Sequence, residues 1–362
     1  MSEQPITDQS AFDALLAAVS ESPRIGLDTE FVRVSTFYPK PGLIQIALGG
    51  EAYLVDPIAG MDLSALGQVL ASGPLSVLHA AQEDYEVLYR LTGQFPTPVF
   101  DTQIAYALVA PRLSLSLSAL AEEVVGANIA KDETRSDWTQ RPLTEAQCRY
   151  AKDDVLILDA LYQALSERLD QLGRSHWMDE DMQSIATRNQ VILVEGDIET
   201  QVQKFGNAWR LSAEGMSRLA HLVQWREETA RKLDRPRKHV LSDQSIFSLA
   251  SSGRADRHHQ LVSQHELSDK QADRFGGQLK AVLAEAEEAG GMKPPPPPLS
   301  KRHKELLRAR QNQCEAVAKS LNIAPEMLIR KRQLVASLDG RGWKPSGWRA
   351  AVLDGVFDDA VG

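Results

Sequence analysis

Short apolar segments and helical patterns alternate over the first 170 residues of this 362-residue chain, and strand-like segments then stop. Glycine, proline or aspartate bounds each apolar segment, which is typical of strands buried in a sheet. The apolar segments lie at residues 25–27, 43–48, 52–55, 75–78 and 99–100. The helical patterns lie at residues 63–70, 83–91, 102–108 and 117–125. This alternation predicts an α/β domain at residues 1–170.

Two further segments define the end of this domain. Residues 113–118 alternate with period two, but the strong helix formers that follow favour a lead-in to the helix at 117–125. Thr144 and Gln147 have the spacing of a capping box, in which the two side chains satisfy backbone donors at a helix start. Apolar residues then recur at spacings of three and four down to about Leu169, which predicts a long amphipathic helix.

The rest of the chain has helical patterns with one clear interruption. Gly290, Gly291 and the five prolines at 294–298 form a stiff, extended break. Beyond it, Pro325 stands at the predicted first turn of a helix that carries Met327, Leu328, Leu334 and Leu338. The predicted organisation is an α/β domain at 1–170, a helical linker at 171–204, a small all-α bundle at 205–289, a Gly/Pro linker at 290–300 and a second, divergent all-α bundle at 301–362.

The composition favours a cytoplasmic protein with no membrane partner. Cys148 and Cys314 are far apart, so a disulfide framework is not expected and a reducing compartment fits best. The polar N-terminus lacks the hydrophobic core of a signal peptide. No apolar run approaches the roughly 18 residues that cross a bilayer. A monomer is the favoured state.

Charge is distributed unevenly along the chain, whose net charge is −9. Residues 1–170 contain 11 lysines and arginines against 24 aspartates and glutamates, whereas residues 171–362 contain 29 against 25. The asymmetry fits an acidic, cation-collecting front half and a back half that can approach phosphates. Chance variation of the surface would also produce it, and charge alone favours that explanation slightly.

Five polar residues stand where a ligand crevice would form. Asp28 and Glu30 end an apolar strand two residues apart, so they project from the same face. Tyr150 and Asp154 are four residues apart in the long helix and also share a face. Asp84 follows the segment 75–78. Because open α/β sheets place ligands beyond the ends of their strands, we expect these side chains to converge.

Converging carboxylates repel each other unless a cation neutralises them, so the pattern predicts a divalent metal site. The four carboxylates would hold two Mg²⁺ or Mn²⁺ ions, hard cations that prefer oxygen ligands. Two such ions about 4 Å apart can stabilise the attacking and leaving oxygens of a phosphoryl displacement. The Tyr150 hydroxyl can orient the attacking water.

Each of these residues also has an ordinary structural interpretation. A single Asp-x-Glu is common in loops and helix starts that bind no metal. Asp84 alone fits a helix N-terminal residue favoured by the helix dipole. Tyr150 alone fits a core aromatic residue, and Asp154 alone fits an exposed partner for Arg149. The metal-site prediction therefore depends on the joint order and context of the five residues.

The motifs that contain these residues extend over about residues 20–170. They are Asp28-Thr29-Glu30-Phe31 with Tyr38-Pro39 and Leu43-Ile44-Gln45; His79-Ala80-Ala81-Gln82-Glu83-Asp84 with Phe100-Asp101-Thr102-Gln103; and Tyr150-Ala151-Lys152-Asp153-Asp154 with Ser136-Asp137-Trp138 and Arg141-Pro142-Leu143. The set resembles the ribonuclease D family, part of the 3′–5′ exonuclease superfamily that carries the DEDD motifs, here in the tyrosine variant. The resemblance implies a ribonuclease H-like mixed sheet flanked by helices.

The resemblance also implies roles for the site residues. Asp28 would bridge both metals, Glu30 and Asp154 would hold the metal that activates water, and Asp84 would support the second metal through its water shell. Tyr150 would position the nucleophile.

Four neighbouring residues are expected outside the ligand set or at its margin. Asp153 lies about 100° around the helix from Asp154 and should face away. Asp101 precedes a helix and is more simply an N-cap than a ligand. Gln45 and His79 would touch nucleic acid or support the crevice, and a structural role is the safer expectation for His79.

The back half is similar to the helicase-and-ribonuclease-D C-terminal (HRDC) domain. The similarity lies in the segment 222–231, in Pro236 and in residues 240–243, and residues 301–362 resemble a second, divergent copy. Such domains assist the binding of structured RNA. Six basic residues could follow a phosphate backbone, although a solvated charged helix face is as good an explanation for any one of them. They are Arg226, Arg231, Lys232, Arg235, Arg237 and Lys238.

The sequence therefore predicts a metal-dependent 3′–5′ exoribonuclease that trims structured RNA such as tRNA precursors and releases nucleoside 5′-monophosphates. Two alternatives stay open at this stage. One is the same chemistry on DNA, since no residue that reads a 2′-hydroxyl is visible. The other is a non-catalytic RNA-binding scaffold with the same fold.

Overall fold

The computed structural model describes residues 4–129, 136–255, 257–338 and 343–357. These residues divide into two compact units. The first unit comprises the described parts of Met1–Val32, Lys40–Gln190 and Leu299–Gly362, and the second comprises those of Arg33–Pro39 and Val191–Pro298. The C-terminal segment thus groups with the α/β part of the chain. The bounds of the five predicted segments stay predictions. Residues 339–342 and 358–362 of the predicted second bundle lie outside the described residues.

The first unit is built on a mixed sheet, which confirms the predicted fold class. Its strands are β1 (Arg24–Val32), β2 (Lys40–Leu48), β3 (Glu51–Val55), β4 (Leu75–Leu78) and β5 (Val99–Asp101). Within the described residues the sheet has the order β3-β2-β1-β4-β5. β1 is antiparallel to β2 and parallel to β4. All of the predicted apolar segments fall in these strands.

Helices flank the sheet. They are α1 (Gln9–Ser20), α2 (Ser64–Ser72), α3 (Gln82–Thr92), α4 (Thr102–Ala107), α5 (Leu117–Val125), α6 (Glu145–Gln171) and α7 (Ser175–Gln190). The capping box of α6 is confirmed, because Thr144 and Gln147 each accept a hydrogen bond from the other's backbone N–H. The lead-in at 113–116 is also confirmed, with Ser116 as the N-cap of α5. Helix α1 was not predicted from the sequence.

Helix α6 packs closely against the strand that ends in the acidic pair. In the register of β1 and β2, Gly26 lies opposite Ala47 and Asp28 lies opposite Gln45. A Cβ atom placed on Gly26 would lie 2.7 Å from the carbonyl oxygen of Val155 in α6. Glycine is therefore the residue that lets the helix backbone approach the strand this closely.

The C-terminal segment of the first unit is helical, but one predicted helix is wrong. Its helices are α14 (Lys301–Leu321), α15 (Pro325–Leu328), α16 (Lys331–Ala336) and α17 (Trp348–Val352). Pro325 does occupy the first turn of a helix, as predicted. The single helix expected from Pro325 to Leu338 is instead divided into α15 and α16, because Ile329 and Arg330 adopt extended backbone angles that interrupt it.

This segment shares a buried apolar cluster with α6 and α7. The rings of Trp177 and Trp348 stack with their centroids 4.1 Å apart. Asp181 accepts hydrogen bonds from the Trp348 indole and from the Arg349 guanidinium. Arg174 donates to the carbonyl oxygens of Leu108 and Leu321. The C-terminal helices are thus part of the same core as the domain that carries the acidic motifs.

The second unit is helical, as predicted for residues 205–289. After a π-helical turn (Val191–Glu195), it contains α8 (Ile198–Gln203), a 3₁₀ turn (Ala208–Arg210), α9 (Ala213–Leu233), α10 (Arg237–Val240), α11 (Asp243–Ser252), α12 (His258–His265) and α13 (Asp269–Glu288). Its core includes the residues expected from the apolar stripes, such as Leu219, Ile246 and Leu279, which are fully buried.

The segment Arg33–Pro39, which follows β1 in sequence, belongs to this second unit. Asp234 accepts hydrogen bonds from the backbone N–H groups of Phe37 and Tyr38, both at 3.0 Å. The guanidinium groups of Arg231 and Arg237 lie over the Phe37 ring, 5.4 and 4.7 Å from its centroid. The segment is therefore held by α9 and α10.

None of the helices in the described residues combines the length and the apolar character that a membrane span requires.

Candidate active site

Strand β1 presents Asp28 and Glu30 side by side. They are two residues apart on the same face, as predicted, and both are half-buried. Thr29, between them, is buried. Both carboxylates thus stand at the end of a strand whose earlier residues, Ile25 and Leu27, are core.

Helix α6 brings Asp154 to this pair. Asp154 is buried and directly precedes Val155, the residue whose carbonyl lies against Gly26. One carboxylate oxygen from each of Asp28, Glu30 and Asp154 lies within 4.8 Å of the other two. Three of the four predicted metal ligands therefore form one group with the spacing that a metal ion needs.

Asp84, the fourth predicted ligand, lies beside this group rather than within it. It is buried in the first turn of α3, where its charge is also favourable to the helix dipole. Its Oδ1 accepts a hydrogen bond from the Thr29 hydroxyl at 2.5 Å. Asp84 is thus tied to the residue between Asp28 and Glu30.

Tyr150 lies one helical turn before Asp154, as predicted, and is half-buried. Its hydroxyl donates a hydrogen bond to the Asp154 carboxylate. Its ring is 6.1 Å from that of the buried Trp138, centroid to centroid. Asp153 is not in the three-carboxylate group, in line with the expectation that it faces away.

Asp101 positions the helix that carries Asp84. It caps α4, as predicted, by accepting a hydrogen bond from the N–H of Gln103 at 2.8 Å. It also accepts hydrogen bonds from the N–H groups of Ala80 and Ala81, at 3.0 and 2.9 Å. Ala80 has φ of +56°, so these bonds hold the tight turn from which α3 starts. This second role was not predicted, because it depends on contacts between distant segments.

His79 has the structural role that was expected. Its Nδ1 lies 2.9 Å from the Thr102 hydroxyl and its Nε2 lies 3.1 Å from the Leu115 carbonyl oxygen. Burial lowers the pKa of the imidazole, which favours the neutral form. His79 therefore supports the turn before α3 and is not a member of the carboxylate group.

Comparisons with known proteins agree with this geometry. Residues 4–170 match the 3′–5′ exonuclease family model, and residues 216–283 match the HRDC domain model. Ribonuclease D of Pseudomonas paraeruginosa is 36% identical over 351 residues, which cover 92% of this chain and 92% of that protein. Ribonuclease D of Xanthomonas oryzae pv. oryzae is 33% identical over 338 residues, which cover 91% of each chain.

The chain belongs to the ribonuclease D family. The crystal structure of Escherichia coli RNase D, described as an exoribonuclease involved in structured RNA processing, is similar with a TM-score of 0.86 and 30% identity. The similarity covers 99% of this chain and 98% of that chain. The protein is accordingly an enzyme, a 3′–5′ exoribonuclease of the ribonuclease D type.

The exonuclease fold of the ribonuclease D family uses divalent metal ions, and the carboxylates of this chain fit such ions. Burial, together with the charges of Asp84, Glu30 and Asp154, raises the pKa of Asp28 well above its ordinary value. Burial and neighbouring carboxylates raise the pKa of Glu30 to about 8.

The other two carboxyl groups are perturbed in the same direction. Burial raises the pKa of Asp84 to about 7, despite the opposing hydrogen bond from Thr29. Burial raises the pKa of Asp154 to about 6, although the hydrogen bond from Tyr150 lowers it. Four carboxyl groups that cannot all be ionised at neutral pH, and that offer only oxygen atoms, suit a hard divalent cation.

Gln45, which was expected to touch nucleic acid or to support the crevice, lies next to Asp28 in the ribonuclease D site. It lies opposite Asp28 on β2 and is completely buried. Among the described residues, neither atom of its side-chain amide has a hydrogen-bond partner. An unpaired buried amide costs free energy, so packing of the core does not explain a glutamine at this position next to Asp28.

In the HRDC-containing unit, three of the six basic residues predicted to follow phosphates have structural partners instead. Arg226 is buried and donates to the Leu241 carbonyl oxygen at 3.1 Å and to Asp243 at 2.8 Å. Arg231 and Arg237 both donate to the buried Glu227. The other three are exposed: Lys232, Arg235 and Lys238.

Proposed function

We propose that this exoribonuclease trims the 3′ ends of structured RNAs such as tRNA precursors, one nucleotide at a time, and that it releases nucleoside 5′-monophosphates with the help of two Mg²⁺ or Mn²⁺ ions. The observation that carries the proposal is the group formed by Asp28, Glu30 and Asp154, with Asp84 beside it. The similarity to the Escherichia coli enzyme, an exoribonuclease involved in structured RNA processing, supports the choice of substrate.

The residues divide into ligands and supports. Asp28 would contact both ions, because it lies in one group with Glu30 and Asp154 and directly precedes Thr29, the hydrogen-bond partner of Asp84. Glu30 and Asp154 would share one ion with it. Asp84 would act through water, which agrees with its hydrogen bond to Thr29 and with its position outside the three-carboxylate group. The bound cations would stabilise negative charge on the attacking and leaving oxygens.

Tyr150 would orient the water that attacks phosphorus. Its proton is engaged by Asp154, so its phenolic oxygen is left with lone pairs that can accept a hydrogen bond from water. A water held in this way keeps a lone pair directed away from the phenol. The hydroxyl thus restricts the orientation of the nucleophile without itself changing its protonation state.

The test is hydrolysis of a 3′-extended tRNA precursor by purified variants in the presence of Mn²⁺. Asp28→Asn and Asp154→Asn remove a metal-ligand charge and are expected to abolish release of nucleoside 5′-monophosphates while circular dichroism stays unchanged. Asp159→Asn is the matched control, because Asp159 lies on the same helix but is exposed and paired with Arg24. Cleavage by Asp28→Asn at the rate of the parent protein would refute the proposal.

The preference for RNA over DNA is tested by measuring the degradation rate of a DNA strand with the same sequence as the RNA. The proposal expects the RNA to be degraded faster than the DNA under identical conditions. Equal rates on both strands would contradict the choice of RNA as the preferred substrate while leaving the metal-dependent chemistry in place.

A further inference from the structure

The second unit contains a cavity of about 300 Å³ that is lined by basic side chains, which we call the basic cavity. Its charged or titratable lining residues are Arg235, His239, Lys270 and Arg274, all of them exposed, and none of the described residues that line it is acidic. Within the described part of the chain, the side chains of Arg235, Lys270 and Arg274 form no hydrogen bond or ion pair with the protein. Three permanent positive charges therefore face one concave surface without a counter-charge.

The two acidic residues of α13 that are nearest in sequence to Lys270 and Arg274 lie near His258. On α13, Lys270 and Arg274 are four residues apart and share the face that lines the cavity. Asp269 and Asp273 are also four residues apart, and both lie near His258, at 4.0 and 3.0 Å from its Nε2. The helix thus separates its charges, with the cations on the cavity side and the carboxylates on the side of His258.

The acidic residue closest in sequence to the rim is also engaged. Asp234 lies between the cavity residues Leu233 and Arg235, but its carboxylate accepts the two backbone hydrogen bonds from Phe37 and Tyr38. Its charge is therefore directed to the segment 33–39, and Arg235 is left without an acidic partner.

The floor of the basic cavity is apolar and fixed. Val240 and Phe275 are buried beneath the rim. Gln271 donates a hydrogen bond to the Val240 carbonyl oxygen at 2.8 Å and so links α13 to α10. The Arg274 guanidinium lies over the Phe275 ring, 5.4 Å from its centroid. A preformed concave site with fork-like donors suits a phosphate group better than it suits a neutral ligand.

We propose that the basic cavity binds a phosphodiester group of the RNA backbone, independently of base sequence. The proposal rests on the proposed function, since it takes the RNA substrate as its ligand. Of the residues predicted from sequence to contact phosphates, it retains Arg235. It adds Lys270, Arg274 and His239, and it excludes Arg226, whose guanidinium is buried against Asp243.

The test compares two triple variants of the full chain. The cavity variant carries Arg235→Gln, Lys270→Gln and Arg274→Gln. The control variant carries Arg254→Gln, Arg257→Gln and Lys293→Gln, which removes the same number of arginines and lysines from exposed positions of the same unit that do not line the cavity. Binding to a labelled RNA hairpin with a single-stranded 3′ tail is measured by fluorescence anisotropy over a range of salt concentrations, with EDTA present to prevent hydrolysis.

The expected result is a loss of RNA affinity of about tenfold or more for the cavity variant, with a salt slope reduced by about 0.7, because one phosphate contact to a single strand contributes about that much to the slope. The control variant is expected to change the slope by less than about 0.2. An equal change in both variants, or no change in either, would overturn the proposal. Unchanged thermal midpoints show that both variants are folded.

Two further measurements separate the possible failures. If the parent protein degrades RNA but the cavity variant binds RNA like the control, only the basic cavity is refuted. If the parent protein does not degrade RNA yet the cavity variant still loses affinity and salt slope, the cavity stands and the proposed function falls.

Calorimetric titration with inorganic phosphate and with adenosine 5′-monophosphate tests a small anion as the ligand. Binding of either one more tightly than RNA would overturn the assignment to a phosphodiester.

Discussion

Tyr150 is joined to the acidic group by the hydrogen bond that its hydroxyl donates to Asp154. Phenylalanine at this position keeps the ring and its packing beside Trp138 but removes the oxygen that would orient water. We expect Tyr150→Phe to lower kcat on the order of 100-fold. We expect the Kd for RNA, measured without metal, to change by less than about twofold, because the hydroxyl is proposed to act on the nucleophile and not on the substrate.

Tyr106→Phe provides the matched control for this prediction. Tyr106 is buried, and its hydroxyl donates a hydrogen bond to Glu123 in α5 at 2.5 Å. Loss of that hydroxyl should leave kcat close to the parent value. A defect in Tyr150→Phe that lies entirely in RNA affinity would exclude the water-orienting role.

At the scale of single residues, the acidic side chains of the site could be predicted from the sequence, but the contacts that hold the surrounding backbone could not. Asp28 and Glu30 could be chosen because strand periodicity puts them on one face. Helix periodicity does the same for Tyr150 and Asp154. The clamp that Asp101 forms on Ala80 and Ala81 could not be inferred, because it joins segments that are 20 and 21 residues apart. The unpaired amide of Gln45 is likewise visible only once β2 lies beside β1.

The approach of α6 to β1 is the contact between elements on which the site depends. Alanine at position 26 would place its Cβ 2.7 Å from the Val155 carbonyl oxygen and 3.1 Å from the Ala47 Cβ. Since backbone cannot move aside locally, we expect Gly26→Ala to shift α6 and with it Asp154. A displacement of about 1 Å can cost about 100-fold in rate, so kcat should fall by about that factor. Overpacking should also lower the free energy of unfolding by about 1–3 kcal/mol.

Gly277→Ala is the control for this substitution. Gly277 lies within α13, and a Cβ added there meets no atom within 4 Å among the described residues. Alanine should therefore stabilise the helix by up to about 1 kcal/mol and leave kcat unchanged. Steady-state kinetics and urea unfolding of both variants measure the two effects. A Gly26→Ala enzyme with parental kcat would show that the close approach is not needed for catalysis.

The elements that the sequence predicted well are those with a strong local pattern. The buried strands are short apolar segments between turn residues, and α6 has both a capping box and an apolar stripe. Helix α1 was missed although its pattern is present, since Asp8 caps it and Phe12, Leu15, Leu16 and Val19 are buried at helical spacing. The division between α15 and α16 could not be predicted, because isoleucine, the residue at position 329, is not a residue type that breaks helices.

On α13, the spacing of the charged residues predicts a separation of charge that their net charge does not reveal. Asp269, Lys270, Asp273 and Arg274 sum to zero, so composition gives no indication of a binding surface. Their spacing puts the two cations on one face and the two acids on another. The position of His258 beside the acids distinguishes the two faces. The placement of the charges on separate faces of α13 could therefore be predicted from the sequence, whereas the basic cavity that the cations line could not.

At the scale of the whole molecule, the carboxyl groups of the acidic site make the stability of the first unit depend on pH. The pKa values of Asp154, Asp84 and Glu30 are raised to about 6, about 7 and about 8. Because these values exceed those of an unfolded chain, the folded state binds more protons than the unfolded state in this range. Without metal, the contribution of these groups is fully present below about pH 4 and is lost as the pH rises through about 6 to 8.

Divalent cations should oppose this loss, since they neutralise the same carboxylates. The Mn²⁺ concentration is held fixed at about 100-fold above the Kd at pH 8. At this concentration we expect the opening free energy of the α6 amides to rise by about 2.7 kcal/mol near pH 8. The rise should be smaller near pH 5, where protons compete for the ligands. Native-state hydrogen exchange with Mn²⁺ or with EDTA measures it, and the amides of α13 in the second unit serve as the internal control. If Mn²⁺ stabilises α6 equally at both pH values, or stabilises α13 as much as α6, then the cations do not act through Asp28, Glu30, Asp84 and Asp154.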